Sequence, residues 1–395
     1  MLEELTDYLW IFVQLTVGYN LVVPLLLFLA YCLVKPIRLN STVHKNGDYA
    51  VIVTAFKYTG QLPDVISSIL KVNYERYLVY VVADNCDISG LGITDTRVIV
   101  LHPEQILASN TKSHLYAIQH FKREHNRITI IDSDNIVHPE FLNEMEKGFK
   151  QGFDAVQGRR LAKNLNTTYA CLDAARDIYY HFYDGKILFR LGSSATLSGS
   201  GMAFTTDIYK SFLDDHNITG AGFDKVLQFA LVKKGLRIAF IPEAIVYDEK
   251  TAERAQLVNQ RSRWIQTWFR YFSFGFTLIY SGLKSLQWNQ FLFGIVLLRP
   301  PLFIFLILSF TFMLINLLLG SGLAAVLWLF ALASFIIGFA IAMANTAVDR
   351  KIYRSLTSIP KFIFYQIVSL FKIKTVSKRP PSTHHTYTSK LENTR

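Results

Sequence analysis

Hydrophobic positions along this chain fall into two regimes. Residues 10–34 contain Gln14, Asn20 and Pro24 but no charge, and the run exceeds the roughly 20 residues that a bilayer core demands. Residues 302–319 and 324–343 are two more apolar runs, with only Gly320, Ser321 and Gly322 closing a tight turn between their ends. The pattern predicts a membrane anchor near the start and a helical hairpin later. Residues 287–299 are also apolar but end in Arg299-Pro300-Pro301, and consecutive prolines lack the N–H groups that a continuing helix needs. That stretch is expected to be re-entrant or interfacial.

The region between these runs reads as an ordinary globular domain. Residues 49–55 (YAVIVTA), 77–83 (YLVYVVA), 97–101 and 127–131 (RITII) are short buried strands, and residues 62–71 and 111–124 are helices. Continuous apolar strands alternating with helices predict an α/β domain whose mostly parallel sheet is covered on both faces. Such sheets bind ligands at the carboxyl ends of their strands. The polar residues after Ala55, Ala83 and Ile131 should therefore converge on one crevice. Neither GxGxxG nor GxxxxGK[ST] is present, which disfavours a dinucleotide fold and a P-loop.

Composition sharpens the membrane reading, because 51% of the chain is hydrophobic and only 18% is charged. Glu3, Glu4 and Asp7 precede the first apolar run while Lys35 and Arg38 follow it, so the positive-inside rule places the α/β domain in the cytoplasm. An acidic start without a small-residue cleavage site marks a retained anchor rather than a signal peptide. Arg350, Lys351 and Arg354 return the hairpin to the same side. The formal net charge is +11, yet many cations flank apolar segments; Lys361, Lys372, Lys374, Lys378 and Arg379 punctuate a tail with an amphipathic stretch over 359–371. Anionic lipid headgroups are the expected partner, and no aromatic-basic sheet signature calls for nucleic acid. Cys32, Cys86 and Cys171 show no metal or redox spacing and fit a reduced compartment.

Candidate chemistry stands at the strand ends. Asp84 follows the second strand, and Asp132-Ser133-Asp134 follows the fourth. Two carboxylates one residue apart on such a loop can hold a hard divalent cation bridging nucleotide phosphates, or form a solvated turn. On a helix, Gln260, Arg263 and Trp264 share one face. That face offers an amide, a guanidinium suited to a diphosphate and a ring on which a sugar can stack. The same helix could equally lie at the membrane interface with Arg and Trp at headgroup level.

In this order, Asp84, Asp132-x-Asp134, an acid near Asp224 and Gln260-x-x-Arg263-Trp264 resemble the family 2 inverting glycosyltransferases of GT-A fold. The likeness spans about residues 45–285. It is nearest to the membrane branch with the cellulose, hyaluronan, chitin and poly-N-acetylglucosamine synthases and the ceramide glucosyltransferases. The resemblance implies that Asp84 and the loop Thr54-Ala55-Phe56 contact the nucleotide, with Lys112 near the donor. It implies Mg²⁺ or Mn²⁺ on Asp134 and Asp132, with Asp132 and Ser133 also facing the donor. Ser198-Gly199-Ser200-Gly201 resembles the loop that admits the acceptor, or is a plain glycine turn. Asp224 would be the catalytic base, or an N-terminal helix residue favoured by the macrodipole, with Asp214 and Asp215 in reserve. Phe223 departs from the family pattern, which places an acid there.

The expected organisation is an anchor (1–38), a cytoplasmic GT-A domain (39–250), interfacial helices carrying QxxRW (251–300), a transmembrane hairpin (301–346) and a basic amphipathic tail (347–395). The expected enzyme is an integral protein of a bacterial inner membrane. It would transfer a hexosyl or N-acetylhexosaminyl group from a nucleoside-diphosphate sugar, UDP first, to a glycan or lipid. Polymer extension, with a second copy or a secretion partner, and single addition to a lipid or polyprenyl phosphate both remain open, as does a non-catalytic sensor of nucleotide sugars.

Overall fold

The computed structural model describes residues 2–35, 46–215, 218 and 221–371. Arg38, Gly220, Lys372, Lys374, Lys378 and Arg379 lie outside the described residues. The first apolar run is a single helix, α1 (Leu2–Leu33), with Pro24 inside it. The predicted strands form as β1 (Tyr49–Phe56), β2 (Tyr77–Asp84), β3 (Val98–Leu101) and β4 (Arg127–Asp132), with α2 (Leu62–Leu70) and α3 (Asn110–Gln119) between them. The third helix ends earlier than its composition implies. Phe121 and His125 turn inward against Tyr80, with ring centroids 4.8 and 5.5 Å away, and the Tyr80 hydroxyl accepts the Lys122 N–H.

The second half of the domain comprises β5 (Ile136–Val137), α4 (Phe141–Lys150), β6 (Ala155–Ala162) and α5 (Thr168–Tyr180). A π-helical turn (His181–Ile187) and α6 (Leu188–Arg190) follow, then β7 (Met202–Thr205), α7 (Thr206–Asp215), α8 (Phe223–Lys233) and β8 (Ile238–Asp248). All eight strands join one sheet in the order β3-β2-β1-β4-β7-β6-β8-β5. The β3-β2-β1-β4 half is wholly parallel, whereas β7 runs antiparallel to both of its neighbours. Register decides where the chemistry goes. Thr54 lies opposite Asp132 and Phe56 opposite Asp84, so the loops leaving β1, β2 and β4 emerge side by side.

Helices α9 (Arg254–Tyr271), α10 (Phe274–Lys284), α11 (Trp288–Leu297), α12 (Leu302–Leu318), α13 (Gly322–Ala344), α14 (Arg350–Ser355) and α15 (Ile359–Phe371) complete the chain. Among the described residues, α1 and α13 are each long and apolar enough to cross a membrane. The expected 302–319 span forms a helix at the short end of the range that crosses a bilayer. That helix, α12, has 17 residues, about 26 Å of rise against a roughly 30 Å hydrocarbon core. Together with α11, from which it is bent by 72° at the Pro300-Pro301 break, it makes a third candidate span. Leu323, Leu327 and Phe330 on α13 are mostly exposed, as lipid-facing residues are.

Two polar side chains of these helices are spent on each other. Gln14 Oε1 accepts from Asn316 Nδ2 and, at 2.7 Å, from Trp328 Nε1, tying α1 to both arms of the hairpin. Gln14→Leu should strand Trp328 Nε1 and leave Asn316 Nδ2 only the Phe312 carbonyl, and hydrogen bonds between membrane helices are typically worth about 0.6–2 kcal/mol. The expected result is a lower unfolding temperature in detergent, with a smaller further loss when Asn316→Leu is added. Additive losses would show that the two side chains do not act as one contact.

Candidate active site

The twelve residues first assigned to the donor, the metal and catalysis line one cavity of about 2430 Å³ at the carboxyl ends of β1, β2 and β4. Thr54, Ala55 and Phe56 form one edge, beside Asp84 and the exposed Lys112 at the start of α3. Asp84 is buried, and its two carboxylate oxygens accept the backbone N–H groups of Leu107 and Ala108 at 3.0 and 2.7 Å. It therefore shapes the loop before α3 as well as facing the cavity.

Asp132, Ser133 and Asp134 form the floor. The Asp132 N–H donates to Ser200 Oγ at 3.0 Å, so the small-residue loop buttresses the carboxylate pair. Gln157 Nε2 in turn donates to the Gly158, Ser200 and Gly201 carbonyls. Gly201 has φ +63°, and a Cβ there would meet Val246 at 2.8 Å, so no larger residue fits this turn. Burial and then the neighbouring Asp134 charge push the Asp132 carboxyl up to about 7, with Arg160 opposing. Asp248 and Asp224 add to this crowding of negative charge. Hard oxygen donors that repel one another suit Mg²⁺ or Mn²⁺. Among the described residues no group of three or more His, Cys, Asp or Glu could hold the ion alone. A donor's phosphates would complete the coordination.

Asp224 opens α8, half-buried, with Lys225 Nζ 3.4 Å away. Gly222 precedes it at φ +97°, and a Cβ there would meet Thr267 and Tyr271 of α9 at 2.7 Å. This close approach locks the Asp224 helix against the helix that carries Arg263. Phe223, the departure from the family pattern, is buried with its ring edge-on to His114 at 5.4 Å. Asp214 and Asp215 are exposed on α7 and do not line the cavity, and Asp215 pairs with Lys234.

On α9, Gln260 accepts from Thr251 Oγ1 at 3.1 Å, while Arg263 faces Asp132 electrostatically, with burial working against its charge. The Trp264 ring is already covered by two guanidiniums, those of Arg176 at 4.1 Å and Arg261 at 4.2 Å. Both contacts are at cation–π distance.

Sequence reasoning missed a belt of buried ions behind the floor. Lys250 Nζ donates to Asp177 and, at 2.8 Å, to Asp248, which also pairs with Arg160. Asp173 receives Arg261 and Arg176, and Asp184 receives Arg299 at 2.6 Å. The belt holds five cations (Arg160, Arg176, Lys250, Arg261, Arg299) against four carboxylates. Burial would raise the Asp248 carboxyl, but Arg160 and Lys250 outweigh it and hold it well below the usual range. Burial lowers His181, beside the belt, to about 4 and leaves it neutral at pH 7. One signal could have revealed Asp248: like Asp84 and Asp132, it is the carboxylate that ends an apolar strand.

Two outcomes follow. Lys250→Met should destabilise the protein by about 3–5 kcal/mol, the scale for removing one partner of a buried pair. Denaturation in detergent measures it, and Asp177→Asn in the same chain should recover part of the loss. Metal binding must displace the Asp132 proton, so Mn²⁺ affinity should fall as pH drops below about 7. Calorimetry at pH 6 and pH 8 should find weaker binding at pH 6; equal affinities would remove Asp132 from the ion site.

The fold has a counterpart among solved structures. Mannosyltransferase PcManGT from Pyrobaculum calidifontis, in complex with GDP-Man and Mn²⁺, is 12% identical with a TM-score of 0.52, over 91% of this chain and 97% of that one. S. aureus TarS is 16% identical with a TM-score of 0.37, over 57% of this chain and 44% of that one. No curated protein sequence matches the chain. Residues 46–267, more than half the chain and nearly all of the cavity's polar floor, match the family described as Glycosyltransferase like family 2. The chain belongs to this family and is a glycosyltransferase of GT-A-like fold.

Proposed function

We propose that this glycosyltransferase moves a single sugar, with inversion, from a nucleoside-diphosphate donor to a membrane lipid at the cytoplasmic face. The observation that carries this reading is the continuity of the cavity. From Asp132 and Asp134 it runs past Trp264 and Arg299 to Phe303, Leu306, Phe335 and Phe339 on α12 and α13. An acceptor that reached the floor through that passage would keep its apolar part among membrane helices.

In this scheme Asp132 and Asp134 would hold a divalent cation, which would supply positive charge toward the donor diphosphate. Arg263 sits where it adds a guanidinium to the same leaving group. Asp224 takes the proton from the acceptor hydroxyl as its oxygen bonds to the anomeric carbon and the sugar–diphosphate bond breaks. The fold neighbour's complex with GDP-Man and Mn²⁺ makes a nucleotide sugar with Mn²⁺ the first ligand pair to test, alongside UDP-sugars. Polymer export has less support. Gln14 and Asn316 bond each other rather than lining a path, so secretion would need a second copy or a partner.

Asp224→Asn is the discriminating variant. It should leave affinity for the nucleotide sugar with Mn²⁺ nearly unchanged while transfer drops roughly 10²-fold, the usual scale for a general base. Product masses from detergent-solubilised protein and a lipid extract should show one sugar increment on a lipid. A ladder of increments, or undiminished transfer by the variant, would overturn the corresponding part of the reading.

A further inference from the structure

Tyr180 lines the cavity that joins the polar floor to the membrane helices. The guanidinium carbon of Arg176 lies 5.8 Å from the centre of its ring and that of Arg299 lies 6.0 Å from it. Arg299 is the residue before the Pro300-Pro301 break, so the 72° bend between α11 and α12 delivers it to this point. Beyond it the walls are Phe303, Leu306, Phe335, Ile336 and Phe339. Ile336 is 66% exposed, so the groove opens sideways where α13 faces lipid.

Two features of the arginines call for an anion. The Arg299 side chain is only 10% exposed, and its Nη1 has no acceptor although Nη2 donates to Asp184. Arg176 Nε is likewise buried without an acceptor. Buried donors left unmade cost free energy that an incoming oxyanion would recover, and a planar guanidinium fork matches phosphate geometry.

We infer that Arg176 and Arg299 seat a phosphate of the acceptor lipid, with the hydrocarbon chain in the groove between α12 and α13 and the acceptor hydroxyl carried on toward Asp224. The inference rests on the lipid-acceptor reading and narrows it to lipids whose polar head is joined through phosphate. The apolar wall explains why the seat is approached from the bilayer rather than from water.

The test uses full-length protein in zwitterionic nanodiscs with three probes: farnesyl phosphate, farnesol and inorganic phosphate. Farnesyl phosphate should bind at least tenfold more tightly than farnesol, and inorganic phosphate should not bind measurably at millimolar concentration. Arg299→Gln should abolish that preference, and Arg299→Lys, which keeps the ion pair with Asp184 but loses the fork, should reduce it several-fold. Binding of UDP with Mn²⁺ serves as the check on folding in both. Equal affinity for farnesol and its phosphate, or a preference that persists in the Arg299 variants, would overturn the phosphate seat and leave the lipid-acceptor reading standing. The wild-type comparison decides the matter even if a variant fails the folding check. If neither farnesyl probe binds while soluble sugars are glycosylated, both the lipid-acceptor reading and the seat fail.

Discussion

A single buried ammonium holds the parts of this molecule in register. Lys250 Nζ lies between Asp177 of α5 and Asp248 at the end of β8, and Asp248 also takes Arg160 from β6. Removing these charges from water is costly, and only their mutual pairing offsets it. The network thereby fixes α5 against the sheet. From α5 the chain passes straight into the π-helical turn, where Tyr183 donates to the Gly338 carbonyl of α13 at 2.8 Å. The placement of carboxylates on the cavity floor and the placement of the membrane helices are thus one structural problem.

This explains what could be read from the sequence. β1, β2 and β4 announce themselves because both faces are buried and the residues are almost all apolar. β6 hides Arg159 and Arg160, β7 has four residues, and β8 contains Pro242; none carries a clean pattern. Among site residues, Asp84, Asp132, Asp134 and Asp224 stand at strand or helix ends, a position that has meaning before folding. Arg160, Asp177 and Arg299 are legible only as pairs with Asp248, Lys250 and Asp184, partners 88, 73 and 115 residues away that no local pattern reaches.

Phe223 and Trp264 show how a motif can change employment. The family pattern has an acid where Phe223 stands, yet the ring packs on His114, which is itself bonded through Nδ1 to Tyr209. A carboxylate at that spot would be desolvated against a neutral imidazole, so the apolar residue is the compatible one. Trp264, expected to offer a face to sugar, also lies against two guanidiniums. In both cases the neighbours, as well as the motif, bear on the role.

The sideways opening at Ile336 also bears on kinetics. An amphiphile entering there arrives by lateral diffusion in two dimensions, never leaving the leaflet, and its product departs by the same route. The quantity that governs encounter is then the mole fraction of acceptor in the surface rather than its bulk concentration. Adding inert lipid at constant acceptor dilutes the substrate as surely as adding water dilutes the nucleotide.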